Sequence, residues 1–183
     1  MPRIPYPDVT TLPEVTQKTL ASVPLNVVRI CAHASQGLFD AQGQLGRAVA
    51  NPDALEPRLR ETVILRVAYL SNSDYELHHH VPLGRAAGLS EAELAALASG
   101  NHGALDPLLA AAARFTDEVV TQLSPSDDTL ANLRKLVSDQ TVVNIVLTIG
   151  CYMSIARLIA VTGIEPDANA LGHLPSSLED GAS

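Results

Sequence analysis

The sequence predicts an all-α fold, a single helical bundle of about eight helices, and three observations carry that prediction. Ala and Leu dominate, while aromatic residues make up only 3% of the chain and Trp is absent, a balance that favours packed helices over a sheet. Apolar residues recur at spacings of three and four in segment after segment. Those segments begin at Ser, Thr or Asp with an acidic residue three positions on and end near Gly or Pro, as helices do. At 183 residues the chain fits one domain with a sizeable core.

Residues 1–12 carry several prolines and read as an extended arm that wraps a surface or a neighbouring subunit. The helical domain follows over residues 13–165. Thr11 with Glu14 is read as the cap of a short first helix that Pro24 breaks. From Asn26 to Asn51 the helical pattern continues with Ser35 or Gly37 as a joint between two segments. Pro57 suits the first turn of a helix running to Leu70, in which Leu59, Val63, Ile64, Val67 and Leu70 form one core stripe.

Ser73 with Glu76 has the form of a capping box for the next helix, which Pro82 is expected to bend and Gly88 to stop. Ser90 with Glu93 repeats the signature for a helix ending near Ser99-Gly100. Asp106-Pro107 opens an Ala-rich helix reaching Leu123, and Thr129–Val137 reads as a further one. Asp139 is read as the cap of the longest apolar helix, Gln140 to Thr162, which Gly163 terminates. Residues 166–183 form a Gly-, Ser- and Pro-rich acidic tail expected to be loosely held.

A net charge of -8 with no basic stripe argues against a nucleic-acid partner. No export signal is visible at the start, and no uncharged apolar run is judged to reach a membrane span, so a cytoplasmic protein without a membrane partner is expected. Cys31 and Cys151 stand in separate apolar stretches without CxxC or metal-ligand spacing and read as reduced, buried thiols.

The chemistry concentrates between Arg60 and Leu89. A Glu stands inside the apolar helix at position 61, Ser73-Asp74-Tyr75-Glu76 opens the next helix, and His78, His79 and His80 supply half of the six histidines. Successive helical positions diverge by roughly 100°, so the three imidazoles cannot serve one centre. His80 lies four residues after Glu76, one turn away on the same face, where the pair can form a charge-assisted hydrogen bond. His78 and His79 would then face a flank, solvent or a partner.

Each residue also has a structural explanation. Glu76 could be only a cap, and Glu61 only a solvated residue paired with Arg58, Arg60 or Arg66. A metal held by Glu76, His79 and His80 would lack the HExxH pattern.

The segment Arg60 to Leu89 resembles the carboxymuconolactone decarboxylase and alkyl hydroperoxidase D-like superfamily, and the stretch Leu25 to His33 more loosely resembles its first core helix. The hydroperoxidase branch carries a Glu, eleven residues, CxxC, three residues and a His. Counted from Glu61, Ser73 and Glu76 fall at the two cysteine positions and His80 at the histidine. The dithiol that peroxide reduction requires is therefore missing.

The Tyr75-Glu76-Leu77-x-x-His80 pattern is similar to the decarboxylase branch. The resemblance implies cofactor-free chemistry, with no metal, on a small-molecule substrate: a lyase or isomerase acting on an oxo-acid or lactone. Glu61, Glu76 and His80 would be the catalytic residues, with His80 as proton donor, and Ser73, Tyr75 and His79 the substrate contacts. The decarboxylase's dicarboxylate substrate needs cations, for which Arg58, Arg66 and Arg85 are candidates. The family fold is all-helical and assembles as trimers or hexamers, so a homo-oligomer is expected. The alternatives are the hydroperoxidase-type antioxidant activity of the wider superfamily and a non-catalytic oligomeric binding protein.

Overall fold

The computed structural model describes residues 2–170 and contains, among them, nine α-helices, two short 3-10 turns and no strand. They are α1 (Glu14–Ser22), α2 (Asn26–Cys31), α3 (Gln36–Ala50), α4 (Pro57–Leu70), α5 (Asp74–Ala86), α6 (Glu91–Ser99), α7 (Pro107–Gln122), α8 (Asp127–Arg134) and α9 (Asp139–Thr162). The all-α expectation holds.

Helix α4 is the centre of the bundle and packs against α5, α6, α7 and α9. A single stripe was expected to be buried, yet nine residues in succession apart from Arg60, from Leu59 to Ala68, are buried around every face. A helix enclosed in this way must satisfy its polar side chains internally. Thr62 donates back to the Arg58 carbonyl at 2.9 Å, and Arg66 pairs with Asp117 at 2.7 Å and donates to the Leu97 carbonyl. The principal core, including Leu65, Leu97, Phe115, Leu133 and Ile149, forms where α4, α6, α7, α8 and α9 meet.

Three residues join α4 to α5. Asn72 adopts φ 49°, a left-handed conformation that asparagine tolerates better than branched residues, and the tight turn folds α5 back along α4. The two helices approach closely at Gly84, where an added Cβ would lie 3.2 Å from side-chain atoms of both Leu65 and Leu89. Helix α5 runs unbroken through Pro82.

The helix-start signals succeed in part. Ser90 and Glu93 form the complete capping box, and Asp106 caps α7. At α5 only half of the expected box exists: Ser73 accepts from the Glu76 backbone N–H at 3.4 Å, while the Glu76 carboxylate turns toward His80. Thr11 is not the cap of α1, whose first turn follows Pro13. Ser126 starts α8 two residues earlier than expected, and Ser138 rather than Asp139 caps α9. In the last case the shorter hydroxyl reaches the Thr141 N–H and leaves Asp139 in the first turn, where it pairs with Arg134 at 2.6 Å.

The N-terminal arm contains a 3-10 turn at Val9–Thr11 and lies on its own chain. Arg3 N–H donates to the Thr162 carbonyl at 2.7 Å, the Pro5 carbonyl meets His33 Nε2 at 2.7 Å, and the Arg29 guanidinium stacks over Tyr6. Asp167, in the segment expected to be a loose tail, is bound on several sides; residues 171–183 of that tail lie outside the described part. Helix α9, contrary to expectation, is long and apolar enough to cross a membrane by length and composition; one face of it packs on α3, α4 and α7.

Candidate active site

The antiparallel turn between α4 and α5 sets Glu61, near the start of one helix, against His80, in the second half of the other. His80 Nδ1 and Glu61 Oε2 are 2.8 Å apart, a distance at which the ring N–H donates to the carboxylate. On the other side of the ring, Glu76 Oε2 lies 3.5 Å from Nε2, as the four-residue spacing requires. One imidazole is thus held between two carboxyls. All three groups are enclosed: Glu61 is 1% exposed, Glu76 4% and His80 6%.

The two carboxyls are not equivalent. Arg60 Nε donates to Glu61 Oε1 at 3.1 Å while its Nη1 donates to the Ala50 carbonyl, so Glu61 has two cationic or donor neighbours. Among the described residues the Glu76 carboxyl meets His80 alone. Burial pushes the Glu76 carboxyl above its ordinary range; the imidazole opposes that shift and the nearby Glu61 charge adds to it. Tyr152, on α9, presents its ring edge-on to His80 with centroids 5.0 Å apart, and burial drives its phenol well above the usual value. These positions form a chain Arg60–Glu61–His80–Glu76 with Tyr152 against the ring.

The structure separates the remaining predicted residues from this set. Tyr75 and His79 occupy a different face of α5, with their rings tilted at 53° and centroids 4.7 Å apart. Tyr75 donates its hydroxyl proton to Asp167 and accepts from the Val27 N–H at 3.1 Å, and burial pushes its pKa upward. His79 Nε2 contacts the same Asp167 oxygen at 3.1 Å, and the other oxygen accepts from the Asn26 N–H at 2.9 Å. His79, expected at a flank or in solvent, is only 2% exposed; burial lowers its pKa and the Asp167 carboxylate resists that shift. Ser73 is a buried cap and does not reach His80.

His78, the third of the run, stands edge-on to His79 with centroids 5.0 Å apart. Because His79 and His80 diverge, the metal set Glu76, His79 and His80 does not converge. Among the described residues no three His, Cys, Asp or Glu side chains could hold a metal ion together.

The candidate substrate cations are also engaged elsewhere. Arg58 pairs with Asp106 at 2.8 Å and with Glu93, Arg66 serves Asp117, and Arg85 forms an exposed pair with Glu91. Arg60 is the arginine that the fold brings to the site. Burial raises both cysteine thiols; Cys151 also accepts a contact from Gln42 Nε2 at 3.8 Å.

Arg60 and Tyr152 were missed by sequence reasoning. Arg60 had been considered only as an alternative ion-pair partner for Glu61, and its adjacency to that residue was the available signal. Tyr152 is 72 positions from His80 and carried none.

The site is a buried His–carboxyl network on an all-helical hairpin, and part of the chain that carries it matches a known family. Residues 36–118 match the model of the carboxymuconolactone decarboxylase family. That span runs from α3 into α7 and includes Glu61, Glu76 and His80; the stretch Leu25 to His33 falls outside it. Over that stretch the chain is similar to the carboxymuconolactone decarboxylase family.

Among solved structures, the chain is similar to the alkylhydroperoxidase AhpD core of an uncharacterized peroxidase-related protein from Ralstonia eutropha JMP134. The TM-score is 0.80 at 18% identity, over 95% of this chain and 97% of that one. A protein of unknown function from Agrobacterium tumefaciens, named as a candidate AhpD-type antioxidant defence protein, aligns with a TM-score of 0.67 at 23% identity. That alignment covers 75% of this chain and 96% of the other. These likenesses establish the fold. None of the curated proteins matches the chain.

Proposed function

We propose that the protein is a cofactor-free acid/base enzyme, a lyase or isomerase acting on a small oxo-acid or lactone. The observation that supports this most is the imidazole of His80 held between Glu61 and Glu76 in a site without a thiol pair. Glu61 fixes the ring through Nδ1, which leaves Nε2 and the Glu76 carboxyl to exchange a proton with substrate. A carboxyl whose pKa is raised by burial can carry that proton closer to neutral pH than an ordinary glutamate.

In a decarboxylation the bond from carbon to the departing carboxylate breaks and carbon dioxide leaves. The electron pair moves into the conjugated carbonyl as a dienolate, and the His80–Glu76 pair delivers a proton to carbon. In an isomerisation the same pair removes a proton from one carbon and returns it to another. Both schemes balance without an oxidant or reductant. Arg60 pairs with Glu61 and so helps to fix the carboxylate that orients the His80 ring.

A hydroperoxidase reading needs a reactive thiolate. Cys31 and Cys151 lack the CxxC arrangement and have raised pKa values, which leaves little thiolate near neutral pH. In a screen of oxo-acids and lactones, His80→Ala is expected to lose turnover while its helical circular dichroism stays that of the parent. Turnover in the His80→Ala protein, or peroxide consumption that disappears when both cysteines become Ser, would overturn the assignment.

A homo-oligomer, trimer or hexamer, belongs to the same proposal. Val143, Val146, Leu147 and Val161 on α9 are large apolar residues left exposed in the single chain, and a second copy is the occupant that would cover them. Light scattering of the purified protein should give three or six times the mass of one chain.

A further inference from the structure

The geometry points to a second ligand site, separate from the acid/base set: a cleft between α1, α2 and α3 that binds a small amphipathic carboxylate, with its anionic end on Arg47 and its tail among apolar walls. The cleft measures about 530 Å³, within the range of small-molecule sites, and none of Glu61, Glu76 or His80 lines it. Its walls include Val23, Leu25, Val28 and Phe39, with Ile155 of α9 at its base. Val15 and Val23 at the rim are exposed, which costs the free protein apolar surface in water.

Arg47 lines this cleft and is exposed to solvent. The other arginines near the core are committed to carboxylates or carbonyls, whereas the Arg47 guanidinium has neither a hydrogen bond nor an ion pair among the described residues. It folds back along α3, so that an added Cβ at Gly43 would lie 3.4 Å from its Nη1. A planar cation so placed, beside apolar walls, suits a carboxylate that can accept two parallel N–H bonds.

The backbone of α3 supplies an independent observation. Gly43 and Gly46 both line the cleft, three residues apart on one face of the helix, although glycine is a poor residue for a helix interior. A Cβ at Gly46 would meet nothing within 4 Å, so packing inside the chain does not require glycine there. Its absence of a side chain keeps open the volume that a tail would fill. Asp40, also in the cleft, is one acidic group facing the space; it accepts from Gln36 Nε2 at 2.8 Å and stands seven positions from Arg47, about 10 Å along the helix. The ligand's anionic end therefore belongs at the Arg47 end.

Calorimetric titration of the full chain with decanoate, 1-decanol and decyltrimethylammonium, each below its aggregation limit, tests the site. Decanoate should bind saturably, decanol about tenfold more weakly, and the cation not detectably. Arg47→Gln, an exposed single change, should reduce decanoate to the affinity of decanol. Gly46→Leu should fill the cleft and abolish binding of both while leaving the melting temperature unchanged or higher.

Absence of decanoate binding would overturn the proposal, as would equal affinity for decanoate and decanol or binding that survives Gly46→Leu. A Gly46→Leu protein that scatters light as a smaller assembly than the parent would also overturn it and assign the cleft to a subunit contact. If Gly46→Leu fails to fold, the Arg47→Gln comparison still decides. None of these outcomes bears on His80, so the site stands or falls apart from the acid/base reading.

Discussion

His79 and His80 are adjacent on one helix and each meets a carboxylate, yet the two faces of α5 do different work. His80 faces α4 and is held between Glu61 and Glu76, with a tyrosine against its ring and an arginine beyond the first carboxylate. His79 faces α2 and the segment after α9, where a single Asp167 gathers the Tyr75 hydroxyl, the His79 imidazole and the Asn26 N–H. One face holds a carboxyl whose proton affinity burial has raised. The other ties distant parts of the chain together with donors that all point at one acceptor. A histidine beside an acid is therefore not enough to mark chemistry; what matters is whether a titratable group is left with a proton to exchange.

That contrast breaks most visibly on activity. Replacing His80 with Asn should reduce turnover by about 10²–10⁴-fold, the usual worth of a positioned acid/base, whereas His79→Asn should leave it within a few-fold of the parent. Comparable losses in the two variants, measured on the same substrate, would remove the distinction.

On stability the order reverses. Asp167→Ala removes the acceptor of the Tyr75 hydroxyl and of the Asn26 N–H together with one contact of the buried His79 ring, and should cost on the order of 3 kcal/mol in denaturant unfolding, with little effect on turnover per folded molecule. An unchanged midpoint would show that Asp167 is not the tie described.

Glu76 and His79 give smaller, pH-dependent effects of opposite sense. The folded-state pKa of Glu76 is raised, so its stabilising contribution is complete below the ordinary 4.5 and is lost as pH rises through the raised value. Glu76→Gln should abolish that loss and gain stability relative to the parent toward alkaline pH. The folded-state pKa of His79 is lowered, so its contribution is present above the ordinary 6.5 and is lost as pH falls through the depressed value. His79→Asn should flatten the acid limb of the melting-temperature profile. Profiles parallel to the parent's in both variants would contradict these assignments.

Much of the architecture was legible because helices announce their starts locally. Ser90 with Glu93, and Asp106 before Pro107, needed only neighbouring residues to be read correctly. The same local logic left Glu76 with two readings, a capping-box partner of Ser73 or a partner of His80 one turn on, and the side chain turns to His80. His80 opposite Glu61 followed from family spacing.

Asp167 was not legible. It lies 88 residues from His79 in a Pro-, Gly- and Ser-containing stretch whose composition argued for looseness, and a single acidic side chain there outweighed that tendency. The burial of α4 on every face was also hidden, because its Glu, Thr and Arg residues masked the enclosure that their internal hydrogen bonds permit.

The most direct measurement is carbon–hydrogen exchange followed by proton NMR in heavy water, with a panel of oxo-acids and lactones as substrates. It reads proton transfer at carbon whether or not the full reaction proceeds. The account predicts exchange or decarboxylation with the parent protein, a rate within a few-fold of it in His79→Asn and in the Cys31→Ser, Cys151→Ser double variant, and a loss of about 10²–10⁴-fold in His80→Asn. Exchange that persists within a few-fold of the parent's rate without His80, or that vanishes with the cysteines, would contradict it.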